Sequence, residues 1–387
     1  MPDVIIIGAG VVGTSIAYHL AKLGCREVVV LEKDYIGSGS TEKCAGGIRQ
    51  QFSTEINIKL AIESVKFFER FEEETGYPAD FRQHGYMMLA TAEEELETFR
   101  QNATLQRQLG VEVYIISPQE VKEIIPGLTV DDVLGATFCP TDGYADSYST
   151  VQGFASAARR LGVKVCEETQ VTGIEVGGDR VKGVLTTRDK FEAPVVVNAA
   201  GPYARIVGSM AGLKLPISPS RRHVFITEPL TDHPSWLDVC RPDQPMVVDF
   251  HNGFWFRREG PSLIFGMRNP NEPEGFSTLV DWDFLAGSLS EIACHRLPPL
   301  SDTGIMRGQA GLHSDTPDYM AIMGESTTIR GLYLACGFSG HGFMHSPAVG
   351  RLMAELVLGK RTSLKDAYEL APDRFQHQME QKEACFI

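Results

Sequence analysis

Val4-Ile-Ile-Ile-Gly-Ala-Gly-Val-Val-Gly-Thr-Ser-Ile-Ala-Tyr-His-Leu-Ala-Lys-Leu-Gly24 decides the fold. Four apolar residues, Val4 to Ile7, read as a buried parallel strand. Gly8-Ala9-Gly10-Val11-Val12-Gly13 follows, and an amphipathic helix runs on to about Leu23. A second apolar strand, Val28 to Leu31, ends in Glu32-Lys33. Strand, glycine turn, helix, strand and acid in this order form a dinucleotide-binding βαβ unit. Gly8 permits the tight turn, Gly10 lets a pyrophosphate approach the backbone, and Gly13 lets helix and strand pack closely. The helix N-terminus offers free N–H groups to phosphate. Glu32 is placed to hold ribose hydroxyls, and its charge opposes a 2′-phosphate.

The chain has 387 residues, 43% hydrophobic and 22% charged, enough for two domains with ordinary cores. A net charge of −14 argues against nucleic acid and means that any bound carboxylate must meet local arginines. No apolar run approaches the ~18 residues of a membrane span. With the first strand at Val4, the reading expects no signal or transit peptide. The eight cysteines lack CxxC spacing, which points to free thiols in a reducing cytoplasm. Cys385 is third from the end of the sequence, so the reading expects no prenylation box.

After Glu32 comes a long loop of small residues, Ile36 to Phe52, that holds Ser38, Gly39, Ser40, Thr41, Lys43, Cys44, Ala45 and Gly46. Such loops tend to carry function. Arg49 within it reads as a surface arginine by composition, or, flanked by Ile48 and Phe52, as aimed into a pocket. The periodicity predicts one helix over 56–75, a strand at 85–90, helices at 93–109 and 149–161, and a helix start at Ser117. A hairpin turns at Gly177-Gly178-Asp179. Val195 to Asn198 reads as a buried strand ending on Ala199, Ala200 and Gly201, beside the first strand. Residues 215–296 read as an antiparallel sheet roofing a substrate pocket, with Trp255 and Phe256 as core or wall. A last strand, 331–336, leads through Gly337-Phe-Ser-Gly340-His341-Gly342 to a helix expected over 346–358, with Pro347 in its first turn. A second glycine turn before a helix suggests a second electron-rich part of one cofactor. The residues after Lys360 are polar and carry no evident role.

Gly8 to Gly13, Gly37-Ser-Gly-Ser-Thr41, Asn198-Ala-Ala-Gly201, Ala310 to Asp318 and Cys336 to Met344 together resemble the FAD-dependent amine and amino-acid oxidases, the family of D-amino-acid oxidase, glycine oxidase and sarcosine oxidase. Gly47-Ile-Arg-Gln-Gln-Phe52 and the last block look most like the β subunits of sarcosine oxidase and L-proline dehydrogenase. The resemblance implies an α/β fold: a Rossmann-like FAD-binding domain (1–82, 142–214 and 304–387) plus an antiparallel-sheet α+β substrate domain (83–141 and 215–303). It implies FAD with Ser38, Ser40 and Thr41 near the phosphates and ribityl chain, Val171 facing the adenine, and Gly340, His341, Gly342, Phe343 and Met344 along the flavin. Arg49 aligns with an arginine that grips the substrate carboxylate in monomeric sarcosine oxidase. His313 stands where D-amino-acid and glycine oxidases carry a carboxylate-binding arginine, and Met344 where sarcosine oxidase has a lysine. Gly311 and Lys43 replace the cysteine and histidine that link FAD covalently in relatives, so the FAD is expected to be non-covalent, with Cys44 the remaining thiol nearby. Ile264 aligns with the oxygen-activating lysine.

The implied activity is oxidation of a small secondary amino acid such as sarcosine. A hydride passes to flavin N5, the imine hydrolyses, and O2 is reduced to H2O2. A dehydrogenase subunit passing electrons to a partner or quinone, and a non-catalytic flavin-binding assembly subunit, are the alternatives. His313 is expected to bind the carboxylate or tune the substrate nitrogen near neutral pH, or else to be a neutral polar wall residue. His341 is expected to be a hydrogen-bond partner beside the flavin, and His345 a pocket wall or helix-start residue. Monomer and hetero-oligomer both fit.

Overall fold

The computed structural model describes residues 1–230, 236, 238–376 and 381–385. The expectations for 215–296 and for the chain after Lys360 therefore include positions outside the described residues.

The strand Val4–Ile7 is buried along its whole length. It pairs in parallel with Val28–Leu31 on one side and Val195–Asn198 on the other. A strand hydrogen-bonded on both edges and covered on both faces has to be apolar, as these three are except for Asn198, whose Nδ2 donates to Ala204 O. Leu332–Cys336 and Lys164–Cys166 extend the sheet in parallel, and Ile322–Glu325 closes one edge antiparallel. Each fully buried Val or Ile side chain here contributes roughly 1.5–3 kcal/mol. The helices Val11–Lys22 and Gly342–Val357 cross at van der Waals distance: a Cβ on Gly350 would lie 2.1 Å from Ser15 Oγ. Ser15 Oγ itself donates to Ser346 O at 2.7 Å.

The second sheet has eight strands, ordered Ile305–Asp315, Ser218–Thr227, Ser262–Gly266, Phe254–Glu259, Met246–Asp249, Tyr86–Ala90, Gly135–Cys139 and Tyr114–Ile116. It is antiparallel except where Met246–Asp249 runs parallel to Tyr86–Ala90. The fold is thus mixed α/β, a Rossmann-like parallel sheet combined with an antiparallel one. The strand Ile305–Asp315, grouped by sequence with the nucleotide half, is hydrogen-bonded into the antiparallel sheet. A three-stranded meander, Val171–Gly177, Arg180–Thr186 and Lys190–Glu192, carries the expected hairpin.

Two helices differ from the expectation. The one predicted over 56–75 is broken into Glu55–Phe68 and Phe71–Thr75, with Arg70 non-helical between them. The break turns Phe71 edge-on to Phe154, ring centroids 5.0 Å apart. The last helix begins at Gly342, not Ser346, which puts Pro347 inside it. Its free N-terminal amides are therefore those of Gly342, Phe343 and Met344.

The tail is also corrected. Glu383 is 1% exposed. Its carboxylate accepts from Ser53 N (2.8 Å), Ser53 Oγ (2.6 Å), Thr54 Oγ1 (3.0 Å) and Asn57 Nδ2 (2.9 Å), closing the N-terminus of Glu55–Phe68. An anion is stabilised there by both the hydrogen bonds and the helix dipole. Among the described residues no helix is long and apolar enough to cross a membrane.

Candidate active site

One cavity of about 690 Å³ runs along the C-terminal ends of the parallel strands and under the second sheet. This is where open α/β sheets bind ligands. At one end Gly8 turns with φ +105°, and a Cβ there would stand 2.6 Å from Ala199 O. A Cβ on Gly13 would lie 2.0 Å from Gly8 O. Glu32 is locked as an acceptor: Oε2 takes Ala9 N at 2.8 Å and Oε1 takes Asp34 N at 3.0 Å. Thr41 Oγ1 accepts Val11 N at 3.1 Å, and Ser40 Oγ donates to Leu312 O at 2.5 Å. Lys33 Nζ lies 4.0 Å from the Tyr203 ring centre.

The wall of this cavity gathers most of the residues singled out from sequence. Gly8, Gly10, Val11, Val12, Glu32 and Lys33 line it with the loop residues Ser38 to Thr41 and Lys43 to Gly46. Val171, Ala199, Ala200, Gly201 and Gly311 are there too, as are Arg49, His313 and the run Gly340 to Met344. Ala9, Gly13, Gly337 and His345 stand behind the wall, and Ile264 lies buried in its strand. Ala9 and Gly13 shape the turn. A Cβ on Gly337 would meet Thr316 Cγ2 at 2.6 Å. His345, expected at the pocket or a helix start, lies inside the helix with its ring 4.8 Å from that of Phe52.

Arg49 is not an open fork. It is 2% exposed, donates through Nη1 to Gln51 O and through Nη2 to Cys385 O at 2.5 Å, and lies 4.2 Å over the Phe52 ring. Its loop is pinned from below by buried Asp142, which accepts from Gln50 N, Gln50 Nε2 and Gln51 Nε2 at 3.0–3.1 Å. Burial pushes the Asp142 carboxyl up to about 6.

The three histidines are held neutral. Burial lowers His313 well below the ordinary imidazole range, with Arg222 and Arg268 adding to the effect. Burial, then Arg49, does the same to His341, and brings His345 to about 3. His313 therefore does not change charge near neutral pH as its residue type suggests; the reason is desolvation. Each histidine lowered on folding takes up a proton in the unfolded chain first. Stability then falls as pH drops below about 6.5, by about 1.4 kcal/mol per pH unit for each group. His19, brought to about 4 by burial, adds a fourth. Asp142 and Asp315, both raised by burial, work in the opposite sense and offset part of this. The urea midpoint of the FAD-saturated protein should be lower at pH 5 than at pH 7; an equal or higher midpoint at pH 5 contradicts the neutral assignments.

Sequence reasoning missed two basic residues on the wall, Arg222 and Arg268, and the aromatic and thioether surface of Tyr86, Met246 and Met267. Alternation along 218–227 was the available signal, but it does not say which face is covered.

Rat dimethylglycine dehydrogenase (mitochondrial) is 32% identical over 390 residues, covering 96% of this chain and 45% of that protein. Human sarcosine dehydrogenase (mitochondrial) is 32% identical, covering 97% and 42%. The chain thus spans less than half the length of these curated relatives. The crystal structure of L-proline dehydrogenase from P. horikoshii superposes with a TM-score of 0.89 at 35% identity, over 97% of this chain and 98% of that one. A match to the profile of the DAO family, the FAD dependent oxidoreductases, runs from residue 3 to residue 356 and takes in every residue that lines the cavity, and the chain belongs to that family.

Proposed function

We propose that this chain oxidises the CH–NH bond of a small secondary α-amino acid of the sarcosine or proline type and passes the electrons to a partner protein or quinone. The observation that carries the reading is one continuous cavity joining a glycine cradle at Glu32 to a wall of neutral histidines and arginines. FAD fits the cradle: side chains are excluded at Gly8 and Gly13, and Glu32 is fixed as an acceptor for hydroxyls. The acceptor assignment follows the dimethylglycine, sarcosine and L-proline dehydrogenases, while glycine oxidase, 28% identical with a TM-score of 0.84, keeps oxygen as the other acceptor that the test below separates.

FAD, when bound, supplies a two-electron acceptor for the substrate. The protein's own groups do the rest. Neutral His313 accepts a hydrogen bond from the substrate N–H and cannot repel a cationic amine. The amides at the start of Gly342–Val357 and the positive end of its dipole face the cavity and favour negative charge developing there. Trp255, Met246 and Met267 present apolar surface that excludes water from the reacting end. Non-covalent attachment is supported by Gly311 and Lys43, which offer neither thiol nor imidazole, and by Cys44, whose thiol burial pushes up.

The purified protein should be yellow, bleach under anaerobic sarcosine or proline, and release its colour to the supernatant on acid precipitation. Reduced protein mixed with air in a stopped-flow instrument should reoxidise slowly. Fast reoxidation makes oxygen the acceptor. A yellow protein that no small amine bleaches is an assembly subunit, and the proposal fails.

A further inference from the structure

We infer that Arg222, not Arg49, anchors the carboxylate of the substrate. The inference rests on the amino-acid oxidation proposed above and names the residue that selects for it. Across the paired strands Ser218–Thr227 and Ile305–Asp315, Arg222 lies opposite Gly311, and Ser220 opposite His313. Residues paired across such strands, or two apart along them, share a face. Arg222, Gly311, His313 and Asp315 therefore stand on one side of the sheet. That side faces the cavity: Arg222, Gly311 and His313 all line it. Gly311 sits against Lys43, and His313 lies beside Gly340, where a Cβ would come within 2.6 Å of the imidazole. The arginine is thus on the same ledge as the groups expected along the cofactor.

Its guanidinium is mounted but incomplete. Nη1 donates to Ser220 Oγ and Arg221 O, each at 3.0 Å, and Nη2 lies 3.4 Å from Asp315 Oδ2. Asp315 Oδ2 also takes Ser220 Oγ at 2.6 Å, so the support is itself braced. Nε is buried and has no partner. His313 Nδ1 and Asp315 Oδ1, 3.9 Å apart, are likewise buried without one. A buried polar group left unpaired is costly unless a ligand completes it. A guanidinium whose Nε still lacks an acceptor, next to a neutral imidazole able to accept an N–H, is complementary to an amino acid: carboxylate on the arginine, amine on the histidine. Arg268 adds a second positive charge on the same wall. Asp315 offsets one of these two charges, and the other leaves the ledge positive in a chain of net charge −14. Both Nη atoms of Arg49 donate to backbone carbonyls, those of Gln51 and Cys385, so a carboxylate reaching it has to displace the tail.

Acetate is a carboxylate that the enzyme cannot oxidise, and it serves as the probe. Titrated into FAD-loaded protein, it should perturb the flavin spectrum. Arg222→Met should weaken its apparent Kd about 100-fold, as when a buried charge pair loses one member. Arg222→Lys keeps the charge without the fork and should weaken it about 10-fold. FAD content and melting temperature are measured on both variants; if Arg222→Met does not fold, Arg222→Lys carries the test. Unchanged acetate affinity in a folded Arg222 variant overturns the anchor, as does loss of binding in Arg49→Met with none in Arg222→Met. If that happens while sarcosine or proline still bleaches the wild type, the proposed activity stands and only the anchor falls. A wild-type flavin that no amino acid bleaches and acetate does not perturb overturns both.

Discussion

Gly13→Val is expected to purify without FAD. A Cβ at this position would stand 2.0 Å from Gly8 O, so either the turn or the helix Val11–Lys22 must move. The turn has no room: Gly8 already sits at φ +105°, with its missing Cβ 2.6 Å from Ala199 O. Nor does the helix, since its Ser15 lies in contact with Gly350 of the last helix and donates to Ser346 O. Overpacking at a rigid site costs about 1–3 kcal/mol and more when backbone must shift. Relief by sliding the helix also carries away Val11 N, which Thr41 Oγ1 fixes at the head of the cradle. Flavin absorbance relative to protein absorbance should fall to background. A variant that retains a full complement of FAD would show that the close approach is dispensable.

Arg296→Met, at the end of the helix Ser290–Arg296 that packs on the second sheet, should produce a large loss of stability. Arg296 is 1% exposed and bridges Asp249 (Nη2 to Oδ2 2.7 Å, Nε 3.2 Å) to Asp132 (Nη1 to Oδ1 2.8 Å), and it donates to Thr129 O at 2.6 Å. Asp249 is equally buried and lies on Met246–Asp249, in the middle of the sheet. Removing one partner of such a pair leaves an uncompensated charge and costs about 3–5 kcal/mol. The urea midpoint should drop accordingly, and Asp249→Asn in the same chain should recover part of the loss, because the two residues couple. A midpoint within experimental scatter of wild type would mean that water reaches Asp249.

The parts of this molecule legible in its sequence are those whose causes are local. The turn at Gly8–Gly13 is set by spacing over six residues, and the capping box at Ser117 and Glu120 forms as its residues dictate. The last helix was misplaced because Pro347 is a good first-turn residue. The start is set instead by the turn at Gly340, φ +89°, with His341 N bonded to Phe338 O. Arg222 was invisible because a basic residue alternating along a strand resembles a solvent-facing one; only pairing with Ile305–Asp315, some ninety residues on, reveals its face. His313 carries no sequence mark of its neutrality, which comes from burial among groups brought in by distant strands. The polarity of the last segment hid Glu383, whose burial depends on finding a helix end about 330 residues earlier.

The central strand has a consequence for synthesis. Val4–Ile7 leaves the ribosome about 190 residues ahead of its neighbour Val195–Asn198. At ~5–20 residues per second, one edge of a wholly apolar strand waits roughly 10–40 s for its partner. During that interval the nascent chain is exposed to mispairing, and its yield should rise with the supply of holdase chaperones.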